Sequence, residues 1–306
     1  MKIPIITGPT ATGKSQFALK LSKYVDIEII NADAFQVYKY MDIGTAKPSK
    51  EDQETCPHHL IDILTPNIQY NVGIFFNLCE TLIPEILNRK RLPVIVGGTG
   101  LYVEAIYEGM CEVSARDKNI YATLVSECET FGLDKMYEKL MLLDKEYAKK
   151  ISHNDKKRIL RGLEAYYVTK MPISELHKKF HKKLNYDFEI YVFNLERTIL
   201  YEKIDKRVDK MFDNGFVNEV KMLLDMGFDE KCPGFKAIGY REIAEYLTSG
   251  GDLEKVVKEI QKKTRNFAKR QLTWFRHMKN VNFLNLNECD KSNILTEFIK
   301  KFSCIN

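Results

Sequence analysis

Gly8-Pro9-Thr10-Ala11-Thr12-Gly13-Lys14-Ser15 carries the spacing G-x-x-x-x-G-K-[ST]. Before it runs a short apolar strand, Lys2 to Thr7, and after it a helix from about Lys14 to Tyr24. In that setting each fixed residue has a task. The glycines let backbone N–H groups turn inward around an anion, the helix N-terminus adds positive potential, Lys14 supplies a point charge, and the Ser15 hydroxyl can ligate Mg²⁺. The stretch therefore predicts a diphosphate cradle formed by Gly8, Pro9, Thr10, Ala11, Thr12, Gly13, Lys14 and Ser15. It does not choose between nucleotides and other diphosphates. A kinase or ATP-hydrolysing enzyme and a transferase with a diphosphate leaving group all remain open. A hydrolase also needs an apolar strand ending in Asp, for which Leu60-Ile61-Asp62 is the best and a weak match.

Outward from the loop, Ile27-Glu28-Ile29-Ile30 reads as a second strand. Pro93-Val94-Ile95-Val96 reads as a third, following a helix around Phe75 to Leu87 and ending in Gly97-Gly98-Thr99-Gly100. Strands alternating with helices predict an α/β fold, a P-loop NTPase-like parallel sheet flanked by helices, with ligands at the strand ends. From Ala115 the pattern turns to helices rich in Lys, Glu, Tyr and Leu, and Phe188 to Leu195 returns to strand. A long helix over Arg197 to Asp213, further helices and a last strand at Val281-Asn282-Phe283-Leu284 follow. The expected organisation is a catalytic core of residues 1–114 and 188–306 with an all-helical insertion of residues 115–187.

Of the 306 residues, 44% are hydrophobic and 29% charged, with a formal net charge of +5, an ordinary balance for a globular enzyme. No apolar run approaches a membrane span, and Met1-Lys2-Ile3-Pro4-Ile5-Ile6 is too short for a signal-peptide core, so the expected location is the cytoplasm. Seven scattered cysteines (Cys56, Cys79, Cys111, Cys128, Cys232, Cys289, Cys304), with no C-x-x-C pair, predict neither a disulfide framework nor a zinc ribbon. Cys56 with His58-His59 lacks a fourth ligand for zinc, and Cys289 and Cys304 lack any partner pattern.

Asn31-Ala32-Asp33 lies just past the second strand, which puts Asp33 at the same sheet edge as the cradle. That position suits a general base. An Asp capping a following helix fits the spacing equally well. Thr99, in the turn after the third strand, is similarly placed.

Further short motifs occur in order along the chain: Gln36-Val37-Tyr38; Met41-Asp42-Ile43-Gly44-Thr45-Ala46-Lys47-Pro48; His58-His59-Leu60-Ile61-Asp62; Val96-Gly97-Gly98-Thr99-Gly100-Leu101-Tyr102; Gly239-Tyr240-Arg241; and Thr264-Arg265 with Ala268-Lys269-Arg270-Gln271 and Thr273-Trp274-Phe275-Arg276. With the cradle and Asp33, this series resembles the tRNA dimethylallyltransferases over nearly the whole chain. The resemblance implies transfer of a dimethylallyl group from dimethylallyl diphosphate to the adenosine next to the anticodon. The diphosphate would be held by Thr10, Lys14, Ser15 and Mg²⁺. Asp33 would accept the adenine amino proton, and Arg207, in Ile204-Asp205-Lys206-Arg207-Val208, would grip the leaving group. By spacing alone Arg207 reads as a surface ion pair. One departure stands out: the family usually has Ser directly after the Asp, whereas Ala34 and Phe35 follow here, and Gln36 remains.

Basic residues cluster at Lys156-Lys157-Arg158 with Arg161, at His177-Lys178-Lys179 with His181-Lys182-Lys183, and at Lys262-Lys263, Arg265, Lys269-Arg270 and Arg276. A single charge run is usually a solvated face, whereas several make phosphate contacts the better reading. The resemblance implies tRNA contacts at Asp33, Ala34, Phe35, Gln36 and Thr99, at Lys157, Arg158, Ile159, Leu160 and Arg161, and at Lys236, Ala237, Ile238, Gly239, Tyr240 and Arg241. Phe35 and Tyr240 would stack on splayed bases. A monomer is expected. The rival activities are an adenylate isopentenyltransferase acting on free AMP, ADP or ATP, which needs no insertion, and a P-loop nucleotide kinase, whose lid arginines are not recognisable. A non-enzymatic RNA-binding module has no use for an intact loop.

Overall fold

The computed structural model describes residues 2–111, 117–286 and 290–303. They divide into two compact units, one formed by Met1–Tyr107 with Asn185–Asn306, the other by Glu108–Leu184.

The first unit opens with β1 (Lys2–Thr7), α1 (Lys14–Leu21), β2 (Ile27–Asn31), α2 (Lys50–Thr55), β3 (His58–His59), α3 (Val72–Asn88), β4 (Leu92–Val96) and α4 (Gly100–Glu108). The second unit holds, among the described residues, β5 (Met110–Cys111), α5 (Lys118–Phe131), α6 (Leu133–Leu143), α7 (Lys145–Ala148), α8 (Lys156–Thr169) and α9 (Ile173–Lys179), then β6 (His181–Lys182). The chain returns to the first unit with β7 (Asp187–Asn194), α10 (Arg197–Asp213), α11 (Phe216–Asp225), α12 (Tyr240–Ser249), α13 (Leu253–His277), β8 (Val281–Asn285) and α14 (Asp290–Phe302).

The sheet of the first unit runs β3-β2-β4-β1-β7-β8, with every pairing parallel. Such strands are covered on both faces, so they read as continuous apolar runs rather than alternating ones. All five residues of β2 and of β4 are buried. One apolar cluster packs Phe17, Leu21, Val94, Phe193, Ile204 and Phe298 around β1, β4 and β7, with Phe17 edge-on to both Phe193 and Phe298 at 5.0 Å between ring centroids.

The register brings Ile6 level with Val96 and Val96 level with Asn31, so β1, β4 and β2 end together. Their exits are stitched by hydrogen bonds. Gly97 N–H donates to Ile6 O, Ala32 N–H to Val96 O, and Thr7 Oγ1 to Gly97 O. Three loops, residues 8–13, 31–36 and 97–99, thus leave one edge of the sheet at one level.

The second unit has its own apolar core of Leu124, Cys128, Met136, Leu140, Ile159, Leu160 and Leu163. Two of its features differ from the sequence expectation of an all-helical segment over residues 115–187. The unit runs from Glu108 to Leu184, and β5 and β6 pair antiparallel, Met110 with Lys182 and Cys111 with His181. A two-residue strand is too short for alternation to be visible in sequence. Part of the expected boundary, at residues 114 and 115, lies outside the described residues.

Candidate active site

The cradle is built as its residues dictate. Ala11 (φ 64°) and Gly13 (φ 90°) are left-handed, the kind of backbone from which anion-binding concavities are formed. Gly13 caps α1 without a side-chain hydrogen bond, so the first-turn amides of that helix stay open to an anion. Lys14 is buried, and its Nζ donates to Gly8 O at 2.8 Å and Pro9 O at 2.7 Å. Burial and then the neighbouring Arg207 guanidinium push its pKa down to about 7, while Asp33 pulls the other way. A negative group beside such a lysine would favour its charged form. Ser15 is exposed beside it.

Asp33 does not cap a helix. Its Oδ1 accepts from the N–H groups of Phe35 (2.9 Å) and Gln36 (3.4 Å), closing a local turn. Oδ2 has no hydrogen-bond partner among the described residues. Thr99 Oγ1 accepts from Ala34 N–H at 3.2 Å, which ties the exit of β4 to the turn holding Asp33.

Arg207, on α10, forms no ion pair among the described residues. Burial lowers its pKa, an effect countered by Asp33. Lys14, Asp33 and Arg207 line one cavity of about 90 Å³ together with Thr10, Ser15, Gln36 and Gln271. Lys14, Ser15 and Arg207 also line a cavity of about 750 Å³, whose wall adds Lys47, Lys203 and Lys210. A carboxylate and two cations therefore face one small space, and both cations also border a larger one. That arrangement can hold an anionic leaving group on one side and take a proton on the other.

Residues 36–278 match the family described as IPP transferase, and residues 1–62 match a further description, isopentenyl transferase. The chain belongs to the IPP transferase family. As a member of it, the protein is a transferase. A tRNA dimethylallyltransferase of Thermotoga neapolitana is 42% identical, covering 98% of this chain and 99% of that protein. One of Natranaerobius thermophilus is 41% identical over 96% and 89%. Among solved structures, a tRNA isopentenylpyrophosphate transferase of Bacillus halodurans is 35% identical with a TM-score of 0.73, covering 99% of this chain and 96% of that one. A eukaryotic dimethylallyltransferase described as acting on tRNA is 27% identical with a TM-score of 0.82, covering 97% and 77%.

Within this IPP transferase chain several residues expected to meet RNA face inward. Tyr240 is fully buried, with its hydroxyl on Glu219 Oε1 at 2.7 Å, and it cannot stack on a base. Burial and the Glu219 carboxylate both hold its pKa well above the usual phenol value. Ala237 is buried, and Gly239 N–H is bound to Glu242 Oε2. In that segment Lys236 and Arg241 are exposed. Ile159 and Leu160 are core residues of the second unit. Two residues apart on a helix is about 200°, which turns Lys157 away from Ile159 and Arg158 away from Leu160, and Lys157 and Arg158 are exposed. Arg161 is half-buried and pairs with Glu164. Gln36 is buried, its amide hydrogens directed to the carbonyls of Thr45 and Ala46, which leaves only its side-chain oxygen for a ligand. Phe35 is half-buried in the turn of Asp33.

Some basic side chains serve internal pairs: Lys263 with Glu242 and Glu259, Arg265 with Asp205, Lys178 with Glu146. Lys262, Lys269, Arg270 and Arg276 on α13 remain exposed. Asp62 Oδ1 is engaged by Lys47. His58 and His59 turn to different partners, Cys56 O and Glu28.

Two residues with site roles went unassigned by sequence reasoning. Gln271 lines the small cavity from α13, and Glu219 grips the loop after Met41 from α11. Each is a polar residue on the apolar face of an amphipathic helix, a signal readable in the periodicity.

Proposed function

We propose that the protein transfers a dimethylallyl group from dimethylallyl diphosphate to the N6 amino group of the adenosine immediately 3′ of the anticodon in tRNA, releasing diphosphate. The observation that supports it most directly is the meeting of Asp33, Lys14 and Arg207 on one cavity. An adenine amino group is a poor nucleophile, because its lone pair is delocalised into the ring. As its nitrogen bonds to the allylic carbon, the carbon–oxygen bond to diphosphate breaks and the electron pair leaves with the oxygen. The surplus proton passes to Asp33, whose turn hydrogen bonds hold one carboxylate oxygen and leave the other free. Lys14, Arg207 and the open amides of α1 meet the charge that grows on the diphosphate, and preorganised donors of this kind are the largest electrostatic aid to such a step.

Mg²⁺ fits the donors present. Among the described residues no cluster of three or more His, Cys, Asp or Glu could cage a metal. Mg²⁺ in phosphate sites takes few protein ligands and completes its shell with water and phosphate oxygens. Ser15 is the residue that would hold it, and the ion would neutralise charge on the leaving group.

The target adenosine must leave its stack to reach a recessed cavity. Lys236, Arg241, Lys269, Arg270 and Arg276 in the first unit, and Lys157 in the second, are exposed cations available for phosphate, and Arg158 is exposed but paired with Asp155. Among the described residues no helix is long and apolar enough to cross a membrane.

The test is a parallel incubation of the protein, dimethylallyl diphosphate and Mg²⁺ with unmodified tRNA or with AMP, read by mass spectrometry of the nucleosides. Isopentenyl-adenosine in tRNA alone supports the proposal. Prenylated AMP moves the acceptor to free nucleotides, and no transfer to either overturns the reading.

A further inference from the structure

We propose that Gln271 is a positioning residue that fixes the span between the donor cradle and the acceptor-side carboxylate; the inference rests on the prenyl-transfer reading above. On α13 the face turned inward carries Ile260, Ala268, Gln271 and Phe275. Gln271 is 6% exposed. A primary amide at such a position costs stability unless both its ends are bonded. Both are. Oε1 accepts from Thr10 N–H at 2.9 Å, and Nε2 donates to Gly98 O at 2.7 Å.

The two partners belong to different loops, one following β1 and one following β4. A Cβ on Gly98 would lie 2.4 Å from Nε2, so the absence of a side chain there lets the amide rest directly on the backbone. From Gly98 the connection continues to the acceptor side. Thr99 N–H donates to Ala32 O at 3.3 Å, and Thr99 Oγ1 accepts from Ala34 N–H at 3.2 Å. Ala32 and Ala34 bracket Asp33. One side chain thus ties the loop that receives diphosphate to the turn that presents the base. Its bond to Thr10 takes an amide of the loop away from any phosphate, so Gln271 acts on the position of the loop and not as one more anion donor.

Bond formation between two separately held substrates is acutely sensitive to alignment, and a misplacement of about 1 Å lowers turnover about 100-fold. Gln271→Met keeps length and approximate volume while removing donor and acceptor. The expected result is a kcat lowered by about 10- to 100-fold with KM for both substrates, and Kd for inorganic diphosphate by calorimetry, within about threefold of the parent. Amides of residues 97–100 should exchange faster by hydrogen–deuterium mass spectrometry. Gln271→Asn, too short to reach both loops, should show the same pattern and decides the matter by the same readouts should the Met variant fail to fold.

A kcat within twofold of the parent overturns the proposal. So does a loss of turnover matched by an equal loss of diphosphate affinity, which would make Gln271 only a shaper of the cradle, and so does unchanged exchange at residues 97–100. A parent protein that transfers no prenyl group overturns the underlying reading instead, while the exchange experiment still tests the clamp.

Discussion

At the scale of single residues, the proposed mechanism gives Asp33 two tasks for one carboxylate: closing a turn and accepting a proton. Oδ1 closes the turn over Phe35 and Gln36, and Oδ2 has no partner among the described residues. Asp33→Asn separates the two tasks, since its amide oxygen still accepts from both N–H groups while proton acceptance is lost. It should lower kcat by about 10²- to 10⁴-fold with a melting temperature close to the parent's, read from steady-state turnover and calorimetry. An unfolded variant would instead mean that the charge itself holds the turn. Asp33 was legible in the sequence as a residue at the right sheet edge. Its orientation was not, because helix cap and turn cap share the same local spacing, and only the backbone beyond Gln36 distinguishes them.

Elements position these residues through contacts distant in sequence. The loop after Met41 lines the larger cavity with Asp42 and Ile43. It is held by Glu219 of α11, which accepts from the N–H groups of Asp42, Ile43 and Gly44 at 2.8, 2.7 and 3.1 Å, and from the Tyr240 hydroxyl. Glu219→Ala strands four donors at once. It should cost about 3 kcal/mol or more and weaken inorganic diphosphate binding, measured by denaturant titration and calorimetry. A loss of stability without any change in binding would separate this loop from the site. The same contacts explain why Tyr240 was misjudged from sequence, since a tyrosine beside Gly and Arg reads as surface until its partner, 21 residues away, is known.

The strands themselves were easier to read. The apolar runs of β1, β2 and β4 fall within a residue of their predicted ends, because burial on both faces leaves no alternation to misread. Glu28 interrupts the β2 run, and its carboxylate is buried against Arg89 (Nε at 2.9 Å, Nη2 at 2.7 Å) and His59 (2.6 Å). The Arg89 hydrogen bonds, opposed by burial and helped by His59, pull its pKa from 4.5 to about 2. A depressed carboxylate contributes stability above its unfolded pKa and loses it as protons are forced on at lower pH. The stability difference between the parent and Glu28→Gln should therefore be constant above pH 4.5 and shrink between there and about 2. Acid titration of unfolding for both proteins measures it, and a gap unchanged over that interval would remove Glu28 from the acid sensitivity of the fold.

At the scale of the whole molecule, the two units carry separate hydrophobic cores. Leu140 has no exposed surface in the core of the second unit, where it meets partners such as Leu124 and Ile159. The cradle, Asp33, Arg207 and Gln271 all belong to the first. On the proposed function, diphosphate chemistry therefore falls to one unit alone, although the sequence runs through the other to complete it. Leu140→Ala should destabilise the second unit by about 2–5 kcal/mol. Faster hydrogen exchange and proteolysis within Glu108–Leu184 would report that loss, while calorimetric binding of inorganic diphosphate should stay within about twofold of the parent, because additivity holds for sites without shared partners. An equal loss of diphosphate affinity would show that the insertion's core sets the geometry of the cradle, and the assignment of donor chemistry to the first unit would then fail.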